Sequence, residues 1–327
     1  MRHPRHLPPR AVLWLVAASL KAAARFASRT ALAVGAALAT PLATPAAGAT
    51  ANPPPVSPER VITLTPHATE MVYAAGGEKQ IVGAVSSSDF PKEALKLPRV
   101  GDGVIVNLER IIVMKPTLII GWQRTGAALR VEALAEKLGA RMTYSAPTSL
   151  LDIPAGVREI GNMLGSAAVA SATAADLEAR ILALEERYAG KPPITVFIEV
   201  GHMPLYTIGH DPLLDDALRI CSGSNIYGTS GIPAPRVPVE NVLVQNPQLI
   251  VAPARDTAEL QAVRSRWAGL GVQAALNDRV HGIDPDALFR PGPRFIDATE
   301  SLCAAIDAAR QKLSAATSAS SQKMDYP

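Results

Sequence analysis

From residue 60 to about residue 313 the chain alternates between two hydrophobic patterns. Short runs at 60–66, 81–85, 118–120, 194–200, 249–252 and 279–283, rich in Val, Ile and Leu, predict buried strands, and 141–145, with Met142 and Tyr144, reads as another strand. Between them apolar residues recur every three or four positions, which predicts helices from about 67 to 75, over 127–138, over 258–270 and over 295–313. Strands and helices taking turns in this way argue for parallel sheets covered on both faces, an α/β chain. The alternation breaks once. Leu177, Ile181, Leu184 and Tyr188 fall on one stripe of a long helix over 167–189, stopped by Gly190 and Pro192. This helix reads as the connection between two lobes, and a single rigid connection would limit hinge motion.

A repeat supports two lobes. Leu108-Glu109-Arg110-Ile111-Ile112-Val113-Met114-Lys115-Pro116-Thr117-Leu118-Ile119-Ile120 is matched without a gap by Val239-Glu240-Asn241-Val242-Leu243-Val244-Gln245-Asn246-Pro247-Gln248-Leu249-Ile250-Val251. In each copy a glutamate, Glu109 or Glu240, stands in the first turn of a short amphipathic helix, a proline closes it and a strand follows. Asn107 caps the first copy. Two copies about a domain length apart indicate lobes of similar architecture with one equivalent glutamate on each. The chain thus divides into a leader over 1–49, a Pro-rich linker over 50–58, an N-terminal lobe over 59–165, the connecting helix over 166–190, a C-terminal lobe over 191–313 and a polar, disordered tail over 314–327.

Composition changes the picture at the N-terminus. The leader holds six basic residues, no acid, and an alanine-rich apolar stretch broken by Pro41 and Pro45 ahead of Ala47-Gly48-Ala49. These features describe a secretory signal cleaved near Ala49, and the prolines leave too short a span for a membrane anchor. Its removal takes six of the 32 basic residues against 29 acidic ones, so the net charge moves from +3 to −3. The apparent basicity therefore belongs to export, and no nucleic-acid footprint remains. An oxidising compartment also favours a disulfide between Cys221 and Cys303, the two cysteines of the chain, with two buried free thiols as the alternative.

No enzyme constellation assembles: G-x-S-x-G, G-x-x-x-x-G-K-[ST], H-E-x-x-H and C-x-x-C are all missing, which favours binding over catalysis. Two lobes could bring His67, His202 and His281 to one cleft as metal ligands, although their spacing matches no metal motif and solvent-facing turn histidines are the plainer reading. Trp122 directly follows a buried strand, and Tyr206 holds a comparable place in the second lobe; aromatics there can stack on a flat ligand, or else pack in the core. Asp286-Ala287-Leu288-Phe289-Arg290-Pro291-Gly292-Pro293-Arg294 is a loop stiffened by prolines, in which Asp286 and Arg290 could hydrogen-bond amide groups of a ligand or pair with each other. Glu109 and Glu240 either answer their helix dipoles or dock onto arginines of a two-fold symmetric partner.

Segments 60–70, 82–91, 107–122, 240–251 and 286–303 carry a resemblance to the periplasmic substrate-binding proteins of the iron-complex and cobalamin ABC importers, most of all to the cobalamin binders. The resemblance implies two Rossmann-like lobes with parallel sheets joined by one long α-helix. It implies a monomer with no enzymatic activity, no cofactor and no metal of its own, which carries a corrinoid to a membrane permease with its ATPase. It makes Glu109 and Glu240 the permease-docking residues and Cys221 with Cys303 a disulfide. The implied ligand site is Pro66, His67, Ser87, Ser88, Trp122, Tyr206, Asp286, Ala287, Leu288, Phe289 and Arg290. Several positions depart from the family: pocket tryptophans are missing at Gly103 and Ala234, Ser87 replaces a tyrosine, Tyr206 a phenylalanine and Phe289 an acid. Fewer stacking walls leave a haem or a ferric siderophore, gripped through His67 or Tyr206, as the alternative ligand.

Overall fold

The computed structural model describes residues 58–324, so the leader, residues 50–57 of the linker and residues 325–327 lie outside the described residues. The N-terminal part runs β1 (Val61–Thr63), α1 (Pro66–Ala74), β2 (Ile81–Ala84), α2 (Leu108–Met114), β3 (Leu118–Gly121), α3 (Ala127–Leu138), β4 (Arg141–Tyr144), α4 (Asp152–Leu164) and α5 (Ala167–Tyr188). Its strands form one parallel sheet in the order β2-β1-β3-β4. The C-terminal part runs β5 (Ile194–His202), β6 (Leu205–Thr207), α6 (Pro212–Ile220), β7 (Gly223–Asn225), α7 (Val239–Gln245), β8 (Leu249–Pro253), α8 (Thr257–Gly269), α9 (Gln273–Leu276), β9 (Val280–Ile283), α10 (Pro285–Leu288) and α11 (Pro293–Met324). Its sheet has the order β6-β5-β8-β9, with β7 also on β5. All pairings there are parallel except that of β5 with β6, so this sheet carries one antiparallel strand that the alternation pattern did not show.

Both sheets are covered on both faces, and their side chains sort by the period of two that a strand imposes. Val61, Leu118 and Ile120 point into one core while Ile62 and Ile119 point into another. In the second sheet Val196, Ile198, Leu249 and Val251 join the first of these cores, and Phe197 and Ile250 face a third. The inward faces of both lobes thus share one apolar core, filled by side chains of α1, α4, α5, α6 and α11. The expected two lobes joined by the long helix α5 are present, and the shared core adds to that joint. Buried Leu177, Ile181, Leu184 and Tyr188 form the predicted stripe of α5, and the helix is braced by α4 and α11, which stiffens the joint.

The helix α4 lies in a stretch that the hydrophobic pattern passed over, because Pro154, Gly156 and Gly161 read as breakers. Pro154 sits in the first turn, where its missing N–H costs no bond. Gly161 is required by packing: a Cβ there would lie 2.1 Å from the Cβ of Ala170 on α5. At the other end α11 continues to Met324, where a disordered tail was expected. No glycine or proline interrupts residues 314–324, and alanine among them favours continuation.

The repeat is reproduced in backbone detail. Lys115 ends α2 with φ 45 and ψ 59, and Asn246 ends α7 with φ 44 and ψ 62, both left-handed. Each is a non-glycine residue in a conformation that normally favours glycine, held by its N–H to a helix carbonyl and followed by proline. Asn107 caps α2 by accepting from the N–H of Arg110 at 3.0 Å. Ile111 and Val242 are the fully buried anchors of the two copies.

Candidate functional site

Ligands of parallel α/β sheets bind beyond the carboxyl ends of the strands, and here those ends converge from both lobes. Pro66 and His67 follow β1, the 86–90 turn follows β2, Trp122 follows β3 and Ser145 follows β4. From the other lobe, Asp286 and Arg290 lie just beyond β9.

Arg290 is the hub. Its Nη1 donates to Asp89 Oδ1 at 2.5 Å and its Nη2 to Asp89 Oδ2 at 3.2 Å, while Nη2 also donates to Asp286 Oδ1 at 2.7 Å. Glu70 Oε1 stands 3.8 Å away and is itself held by Arg294 through bonds of 2.7 and 3.0 Å. The Arg294 guanidinium lies 4.2 Å from the centre of the Phe90 ring. The bonds to Asp89 and Glu70 join residues far apart in sequence, so two arginines of the C-terminal lobe clasp α1 and the 86–90 turn of the N-terminal lobe. Burial pushes the Glu70 carboxyl above the usual carboxylate range, and Arg294 pulls it back only in part. The hydrogen bond from Arg290 holds Asp89 below that range. Burial works against the Arg290 charge, but its acidic neighbours more than offset this.

His67 is inside the protein, 2% exposed. Its Nε2 lies 2.9 Å from the Ser145 carbonyl, which only accepts, so this nitrogen carries the proton. Its ring meets Trp122 edge to face at 6.0 Å between centroids. Burial lowers its pKa to about 4. A neutral, enclosed imidazole with its outer nitrogen engaged is a support for Trp122 and β4, in place of the expected ligand-gripping group. Trp122 is 46% exposed and, with Leu64, Thr65, Gly103 and Val106, borders a recess of about 150 Å³.

Other expected site residues divide by burial. Ser87, Phe289 and Pro66 reach the surface in full or in part. Ser88 is 0% exposed and ends a hydroxyl chain with Thr69 at 2.7 Å and Thr63 at 2.6 Å beyond it. Ala287 and Leu288 are buried in the shared core on α10. These three therefore shape the cleft from behind its surface. Tyr206 is 38% exposed on β6, and no hydrogen bond or ring contact among the described residues joins it to the arginine cluster. The three-histidine metal site is overturned: His281 Nε2 faces Ser301 on α11 at 2.9 Å, and His67 is enclosed. Among the described residues no group of His, Cys, Asp or Glu could hold a metal ion.

Glu70, Asp89, Phe90 and Arg294 were not singled out from the sequence. A weak signal existed, since Arg290 and Arg294 stand four apart, flanking the turn into α11. Glu109 and Glu240 are exposed on α2 and α7, and among the described residues neither makes an ion pair. One turn further along the same faces lie Val113, 78% exposed, and Val244, 85% exposed. Cys221 at the end of α6 and Cys303 on α11 are joined, with Cα atoms 4.6 Å apart.

Two lobes with strand ends facing one cleft define a protein built to enclose a small ligand, and a family model described as periplasmic binding protein matches residues 61–287. The chain belongs to the periplasmic binding proteins. A vitamin B12-binding protein of Vibrio cholerae serotype O1 is 33% identical over 258 residues, which cover 79% of this chain and 92% of that relative. Another, from Photorhabdus laumondii, is 34% identical over 247 residues, covering 76% and 87%. Among solved structures, the periplasmic vitamin B12 binding protein BtuF of Vibrio cholerae matches with TM-score 0.70 at 32% identity, covering 77% of this chain and 98% of that one. The periplasmic haem-binding protein BhuT, solved with two haems, matches with TM-score 0.67 at 19% identity over 77% and 99%, a likeness of fold alone.

Proposed function

We propose that the chain is exported, loses its leader near Ala49, and captures cobalamin in the periplasm for delivery to an ABC importer. One observation carries the ligand reading. Trp122 in one lobe and Asp286 and Arg290 in the other each lie just beyond the carboxyl end of a strand, in a chain one-third identical to vitamin B12-binding proteins over most of its length. The indole supplies a stacking face, and the carboxylate and guanidinium supply an acceptor and donors for the amide groups of a corrinoid. The alternative ligand, haem or a ferric siderophore, now rests on Tyr206, whose exposed phenol is the remaining candidate among the two iron-gripping residues.

Titration of the mature chain with cyanocobalamin, followed by tryptophan fluorescence, is expected to give saturable quenching with Kd tighter than about 10 μM, worth roughly 7 kcal/mol. Trp267, buried against Glu199, provides a steady background to Trp122. Hemin in the same cell should leave its Soret band unshifted; tight hemin binding with no cobalamin binding would reverse the assignment.

The importer reading rests on Glu109 and Glu240. Each lobe offers an unpaired carboxylate followed one turn later by a bare valine, a pairing that fits a partner with two-fold symmetry presenting arginine beside apolar surface. The double change Glu109→Ala/Glu240→Ala should slow cobalamin uptake in cells at least tenfold while calorimetry shows unchanged ligand affinity. A matching loss of affinity would remove the docking role.

A further inference from the structure

Arg290 is expected to donate to a ligand, yet its terminal nitrogens already serve carboxylates from both lobes. The three acids around it are not equivalent. Asp286 lies four residues away in the same segment and travels with Arg290. Glu70 is 2% exposed and takes two bonds from Arg294, so it has a partner of its own. Asp89 belongs to the opposite lobe, and its side chain is 44% exposed in a polar turn. A carboxylate already half in water regains its hydration when it lets go, whereas a buried one does not. Asp89 is thus the one partner of Arg290 that can be exchanged at low cost.

We infer that Asp89 is a latch on the ligand-binding arginine: it holds Arg290 across the mouth of the cleft in the empty protein and is displaced when a ligand acceptor takes its place. The inference rests on the cleft reading above. Phe90, stacked under Arg294, keeps the same turn seated against the C-terminal lobe. While the latch is closed, both terminal nitrogens of Arg290 are engaged, and the apparent affinity is reduced by the fraction of molecules whose arginine is free. Asp89 is therefore a positioning residue that sets affinity without stacking on the ligand. Its competition also adds selectivity, since a ligand lacking a good acceptor at that place cannot displace a carboxylate.

The test is a double-mutant cycle between Asp89→Asn and Arg290→Gln, read in two ways. Calorimetric titration with cyanocobalamin should show Asp89→Asn binding about 3- to 10-fold more tightly than the natural chain, as expected when an occupied arginine is freed. In the Arg290→Gln background the same change should have no effect. Hydrogen exchange on the ligand-free chain should be faster over residues 86–90 and 289–292 in Asp89→Asn, again only when Arg290 is present. Unchanged or weaker cobalamin binding by Asp89→Asn overturns the competition, weaker binding meaning that the pair preorganises the cleft instead. Equal effects with and without Arg290 overturn the latch itself. Should the natural chain bind no cyanocobalamin, the ligand assignment falls separately, and the exchange comparison alone decides the latch.

Discussion

Replacing Cys221 and Cys303 together by alanine is expected to lower unfolding stability by about 4 kcal/mol, the largest effect in the molecule from a pair of small changes. The bond spans a sequence separation of 82, and closing a loop of that size removes entropy from the unfolded chain worth about 4–5 kcal/mol at room temperature. Both residues are fully buried, so alanine is preferable to serine, which would leave an unpaired hydroxyl in the shared core. The loss should appear as a lower guanidinium midpoint with a steeper slope, because the unfolded chain without its cross-link exposes more surface, followed through Trp267. A shift worth less than about 1 kcal/mol would mean that contacts between α6 and α11 already confine this loop in the unfolded ensemble.

Acid should act through His67. An unfolded chain takes up this proton near 6.5, while the folded chain takes it up only at about 4, chiefly because burial disfavours the charged ring. Between these values the unfolded state binds more protons, so stability is fully present above pH 6.5 and is lost as the pH falls towards 4. At about 1.4 kcal/mol per pH unit the total is roughly 3 kcal/mol. Glu70 works in the opposite sense, because its raised pKa makes acid favour the folded state in the window just above 4.5. Comparison with His67→Gln isolates the histidine, since the glutamine amide can still donate to the Ser145 carbonyl. Denaturant melts at pH 7 and pH 4 should show the natural chain losing roughly 3 kcal/mol more than the variant; equal losses would sink the assignment. The same acidification should free Trp122 from its edge contact and change its fluorescence before global unfolding.

Glu109 and Glu240 were legible as a matched pair because they sit on a repeat. Helix length, glutamate, closing proline and following strand are all local features, and the matching left-handed ends at Lys115 and Asn246 show that the same local sequence produced the same turn twice. The disulfide followed from the expected oxidising compartment and from there being two cysteines. The half-exposed place of Trp122 at a strand end followed from its position after a buried strand. His67 was misplaced for an equally physical reason: a polar residue after a strand looks exposed until another element covers it. Here β4 supplies the covering carbonyl through Ser145, and the loop at Gly292 presses on the histidine from the other lobe.

By itself the sequence determined the alternation of strands and helices, the long stripe of α5, the two glutamates and the character of the leader. These depend on periodicity and turn chemistry within a few residues. Only the tertiary structure decided that α4 tolerates its glycines, that the two lobes share one core, and which acids meet Arg290 and Arg294. Those bonds join residues 201 and 224 apart in the chain, so no pattern along it could announce them. They exist because two sheets turn their carboxyl ends to one cleft, and the charges gathered there must be paired across it or left costly and bare.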